Sequence, residues 1–142
     1  MTTKAPRHGP GRFQWHTGAW FGTLLGSTLW LLLSAGLMAG HAPLLGGIVL
    51  GCFLVPNVAG GLLWRHRDRV PPYVAIQCVL GLIGVFGFGA LVAMKRAGQL
   101  LALDPQFASP VVYYGILPMV LCIMGWFWVV ERAAIKKRSG EP

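Results

Sequence analysis

The sequence predicts an all-α integral membrane protein, an antiparallel four-helix transmembrane bundle with both termini on the cytoplasmic side. Three observations carry this reading. First, the stretches between His16 and His41, His41 and Arg65, Val70 and Lys95, and Pro105 and Glu131 contain no Asp, Glu, Lys or Arg. A helix needs roughly 20 mostly apolar residues to cross the bilayer core, and each stretch supplies one. Second, Lys4, Arg7, Arg12, Arg65, Arg67, Arg69, Arg132, Lys136, Lys137 and Arg138 all fall on one side of such a topology, leaving only Lys95 and Arg96 on the other. The basic side is the cytoplasmic one under the positive-inside rule. Third, Trp15, Trp20, Trp64, Tyr73, Trp126 and Trp128 gather at the predicted cytoplasmic ends and Tyr113 and Tyr114 at the outer end of the fourth span. An amphipathic ring prefers the depth at which one edge is wet and the other apolar.

Each span has its own start signals. Thr17 is expected to cap the first, near Gly18–Met38, because a hydroxyl oxygen can accept an orphan helix N–H. Ala42-Pro43 opens the second (Leu44–Trp64), Pro71-Pro72 the third (Tyr73–Met94), and Ser109-Pro110 the fourth (Val111–Val130). Proline suits the first helical position, where its missing N–H is no loss. The turn around Gly40–Pro43 is short and implies a tight hairpin. In the longer connection 95–109, Leu100, Leu103 and Phe107 recur at helical spacing, which predicts an interfacial helix or an extension of the third span. The chain of 142 residues is expected to form one transmembrane domain, 1–142, since the tails are too short to bury a core of their own. A cleaved signal peptide is a poor account of the first span, whose apolar run far exceeds an h-region of roughly 7–15 residues.

Composition narrows the function by exclusion. The net charge of +8 lacks a folded platform for nucleic acid. It fits attraction to anionic lipid headgroups, about 1 kcal/mol for each basic residue near the surface. Arg65, Arg67, Arg69, Arg132, Lys136, Lys137 and Arg138 are the candidate lipid contacts. Cys52, Cys78 and Cys122 lie within spans without a C-x-x-C pair and read as small buried hydrophobes. No Asp, Glu, Lys, Arg or His sits at mid-membrane depth, so a proton relay or carboxylate-coupled exchanger has no group to use. No hydrolytic, metal or phosphate-binding motif is present, and no cofactor is expected.

Two sets of residues remain as candidates. Gly18, Gly22 and Gly26 repeat every four residues, advancing about 40° per step, and so form one face. Gly47 and Gly51 in the second span, and Gly81 and Gly84 in the third, are similar. Small residues let helices approach in lipid, where no hydrophobic force drives them together. These faces can pack within the bundle or against another chain. Asn57, about 10 Å inside the second span, and Gln77, about 6 Å inside the third, are the buried amides. They suggest either a polar patch opened by Pro56 or a plain interhelical hydrogen bond of about 0.6 kcal/mol. Glu131 is expected to bridge to the loop Arg65–Arg69 for under about 1 kcal/mol.

The reading that follows is an accessory, assembly or interaction subunit of a larger membrane complex, partnered by lipids and by another membrane protein or a second copy. The alternative is an oligomeric channel or facilitator with a polar path at Asn57 and Gln77. A third, an enzyme working on lipid through His66 and Asp68, competes with a simple headgroup-facing turn.

Overall fold

The computed structural model describes residues 12–98 and 110–139. They form four helices: α1 (Thr17–Met38), α2 (Pro43–Arg65), α3 (Pro72–Arg96) and α4 (Pro110–Ser139). Each is long and apolar enough to cross a membrane. The apolar stretches thus fold as expected, and three of the four helices begin and end within two residues of the predicted spans. α4 runs nine residues past Val130, because the segment from Glu131 to Ser139 contains neither Gly nor Pro and consists largely of good helix formers. The basic residues Arg132, Lys136, Lys137 and Arg138 are therefore helical.

Helix starts follow the proline signals with one correction. α2 begins at Pro43 and α3 at Pro72. The cap of α1 is His16, not Thr17: its Nδ1 accepts the Ala19 N–H at 3.3 Å and its carbonyl accepts the Trp20 N–H at 2.9 Å. An imidazole nitrogen does here what the Thr17 hydroxyl was expected to do. At the far end of α3, Gly98 takes φ +70° just past the C-cap Ala97, a left-handed conformation that only glycine adopts without strain. Residues 99–109, most of the predicted interfacial element, lie outside the described residues, as do the cap position Ser109 and the side chain of Tyr113.

The helices pack in chain order, α1 on α2, α2 on α3 and α3 on α4, with a smaller contact between α1 and α3. The seam between α1 and α2 uses Leu24, Thr28, Leu31, Ala35 and Met38 against Gly46, Val49, Cys52, Pro56 and Gly60. On α1 these positions alternate steps of four and three residues, so they line one stripe. Leu31, Ala35 and Met38 join Val49, Cys52, Ala90, Leu91, Ala93 and Met94 in the principal core. That core occupies the end of the bundle where Met38 and Met94 meet. At the opposite end aromatic rings do the joining: Trp15 lies 4.7 Å from Trp20 and 5.6 Å from Trp64, and Phe13 lies 5.9 Å from Tyr73 and 5.0 Å from Phe127.

α4 is held least. Buried residues make up 11% of its apolar window, against 28% for α1 and α2 and 33% for α3. Only Cys52 of the three cysteines is buried; Cys78 and Cys122 are exposed. Their expected burial fails because they sit on helix sides that no other helix covers.

Candidate functional site

The glycines sort into two groups by what a side chain there would meet. A Cβ at Gly46 would lie 3.2 Å from the Ala35 carbonyl oxygen, at Gly60 2.5 Å from Leu24, and at Gly84 3.0 Å from Val120. These are the sites of close helix approach, and Gly87, 3.6 Å from Ile116, is next. At Gly22, Gly26, Gly47, Gly51 and Gly81 nothing lies within 4 Å, and at Gly18 only the His16 ring does. Among the described residues, then, Gly84 alone of the packing glycines named above meets another helix closely. Gly46 and Gly60 went unnoticed because neither sits in the repeats that drew attention.

The two amides serve different helix pairs. Asn57 donates through Nδ2 to Thr28 Oγ1 at 2.9 Å and to the Phe53 carbonyl at 2.7 Å. Thr28, fully buried, donates in turn to the Leu24 carbonyl at 2.8 Å. Gln77 donates through Nε2 to the Tyr73 hydroxyl at 3.0 Å and to the Met124 carbonyl at 2.9 Å, tying α3 to α4. A main-chain carbonyl can only accept, so both amide nitrogens must face as they do. The amide oxygens Asn57 Oδ1 and Gln77 Oε1 are buried without a hydrogen-bond partner. No hydrogen bond joins the two residues, and the structure does not bring them into one polar patch. Ser27 and Ser34 bond back to carbonyls of their own helix.

Glu131 is buried, 7% exposed, and its Oε2 accepts the main-chain N–H of Arg12 at 2.7 Å. The expected ion pair with Arg65–Arg69 is not formed among the described residues. The carboxylate instead pins the segment that leads into α1. Among the candidate lipid contacts, Arg67 stacks 5.1 Å from the Trp64 ring and donates to its carbonyl, while Arg132 lies 5.2 Å from the Trp128 ring. Arg65, Arg69, Lys136 and Lys137 are exposed, and Arg138 is helical with its side chain outside the described residues.

One deep concave feature was not foreseen. A cavity of 560 Å³ lies between α1, α3 and α4, because α4 packs on α3 without closing against α1. Trp30, Leu31, Ile83, Gly87 and Ile116 line its deep end, and Phe13, Gln14 and His16 its other end. Neither Asn57 nor Gln77 contributes. Trp30, otherwise odd at mid-helix, is one wall; its indole N–H is satisfied by the Ser27 carbonyl at 3.0 Å. Among the described residues no group of His, Cys, Asp and Glu is placed to hold a metal ion.

Four apolar helices of spanning length, charged only at their ends, define the class as multi-pass membrane protein. Beyond that class, no family model, curated protein or solved structure matches the chain.

Proposed function

We propose that this chain is a plasma-membrane protein with antiparallel helices and both termini in the cytoplasm, acting as an interaction or assembly subunit of a larger membrane complex. The orientation follows from the ten-to-two distribution of Lys and Arg. The observation that carries the function is that Gly18, Gly22 and Gly26 of α1 and Gly47 of α2 are exposed and meet no other helix among the described residues. A four-residue glycine repeat is a poor helix former in its own right. Its advantage in lipid is close backbone approach, and the described helices of this chain make no use of it there.

Gly22→Leu with Gly26→Leu tests this directly. Nothing lies within 4 Å of either position, so the isolated chain should be no less stable, and the gain in helix propensity should raise its stability by up to about 1 kcal/mol per site. A stoichiometric partner of different sequence should co-purify with the wild type in gentle detergent and be lost at least tenfold from the double variant. Isolation of the wild type alone, or equal recovery of the partner by both, overturns the reading. The alternative channel or facilitator at Asn57 and Gln77 has less to draw on, since both amide nitrogens are spent on separate interhelical bonds.

A further inference from the structure

The cavity between α1, α3 and α4 has a length and a polarity gradient that together describe an occupant. Along α1 its lining runs from His16 to Leu31, about 22 Å by helical rise; along α3 from Ile76 to Gly87 and along α4 from Ile116 to Phe127, about 16 Å each. Half of a hydrocarbon core is about 15 Å, so the cavity is as deep as one leaflet. With 560 Å³ spread over that depth and walls that are almost wholly apolar, the space suits a hydrocarbon chain.

The deep end is apolar, walled by Leu31, Ile83, Gly87 and Ile116. Thr23 and Ser27 follow, and the open end carries Gln14 and His16. Because His16 Nδ1 accepts the Ala19 N–H, it is the other ring nitrogen, Nε2, that bears hydrogen and leaves a donor at the mouth. Arg12, exposed and adjacent to the lining residue Phe13, has its main chain anchored on Glu131. The mouth thus offers donors, with the Arg12 side chain near it and the Glu131 carboxylate holding the Arg12 main chain, and it lies at the end of the bundle that gathers most of the Lys and Arg.

We propose that this groove holds an acyl chain of an anionic glycerophospholipid from the leaflet at the basic end, with the phosphate at Arg12 and His16. The chain replaces the dispersion contacts that an empty groove between α1 and α4 would forgo, and the mouth selects the charge of the headgroup. The inference rests on the membrane reading above but not on the chain having a protein partner.

The test is native mass spectrometry of the full chain released from nanodiscs of phosphatidylglycerol or of phosphatidylcholine with the same acyl chains. One phosphatidylglycerol should remain bound per chain, at least tenfold more than phosphatidylcholine. Thr23→Trp, at an exposed lining position, and Ser27→Trp, deeper, should each cut retention at least tenfold, while Leu33→Trp on the uncovered side of α1 should not. Arg12→Gln with His16→Asn, which keeps a capping oxygen, should bring phosphatidylglycerol down to the phosphatidylcholine level. Helical circular dichroism of every variant in detergent separates loss of lipid from loss of fold. Full retention by a folded Thr23→Trp or Ser27→Trp variant, equal retention of the two lipids by the wild type, or a lipid-free dimer in which a second copy fills the groove overturns the proposal.

Discussion

Gly46 and Gly47 are neighbours on α2 whose surroundings differ completely. A Cβ at Gly46 would stand 3.2 Å from the Ala35 carbonyl oxygen, 3.3 Å from Met38 Cβ and 3.5 Å from the Ala39 nitrogen. Two of these are main-chain atoms of α1 and its C-cap, and the third is the base of a side chain only 1% exposed. None can rotate aside, so the two helices must part by a few tenths of an ångström over their length. At Gly47 nothing lies within 4 Å. Overpacking of this kind costs about 1–3 kcal/mol. Both Gly46→Ala and Gly47→Ala also gain about 1 kcal/mol of helix propensity.

That shared gain cancels in the comparison. Gly46→Ala should come out about 0–2 kcal/mol less stable than wild type and Gly47→Ala up to about 1 kcal/mol more stable, a gap of about 1–3 kcal/mol. Gly46→Ile and Gly47→Ile widen the gap in the same direction. Unfolding by SDS in mixed detergent micelles, followed by far-ultraviolet circular dichroism and tryptophan fluorescence, reads all four. Agreement between the two alanine variants to within about 0.5 kcal/mol, the range of inconsequential surface changes, would refute close approach at Gly46 and with it the register of α1 on α2.

Two further outcomes follow from the polar contacts. In a double-mutant cycle by the same SDS titration, Thr28→Val and Asn57→Leu should couple by about 0.6 kcal/mol, and by no more than about 1.7; additive effects would mean the bond between α1 and α2 contributes nothing. Glu131→Ala should free the main chain at Arg12, and if the lost bond is worth about 1 kcal/mol, tryptic cleavage after Arg12 should speed up roughly fivefold, as read by mass spectrometry of the shortened chain; an unchanged rate would show that the carboxylate does not hold this segment.

Much of the fold was legible because hydrocarbon imposes coarse rules. The absence of charge from His16 to His41 and its successors suffices to place a helix, since a polar backbone in lipid must satisfy itself internally. Pro43 and Pro72 mark helix starts for an equally local reason. What failed depends on rotation about the helix axis. The Gly18–Gly22–Gly26 stripe is conspicuous in sequence, yet the working face of α1 is the stripe through Thr28, almost opposite it. Apolar residues surround every span, so composition carries little signal about which side faces a neighbour. The cap was misplaced by one residue because a hydroxyl is the commoner capping group, whereas here an imidazole nitrogen of His16 takes the Ala19 N–H. Glu131 was assigned an arginine partner because charge is visible in sequence, whereas the Arg12 main-chain N–H becomes available only once the segment before α1 folds across α4.

The uneven distribution of packing gives these details a common cause. The core cluster draws on Leu31, Met38, Val49, Leu91 and Met94, all toward one end, where α1, α2 and α3 meet. Toward the other end the joints are aromatic pairs around Trp15 and Phe13, the Trp20 indole N–H on the Gly60 carbonyl at 3.2 Å, Gln77 on the Met124 carbonyl, and Glu131 on Arg12. Directional contacts of this kind position elements without filling the space between them. In lipid, where helix association relies on dispersion, space left unfilled is a lost attraction for the residues that line it. An arrangement that uses hydrogen bonds to hold α4 beside α3, yet leaves a leaflet-deep gap toward α1, is stable to the extent that membrane hydrocarbon completes the packing that the chain leaves open.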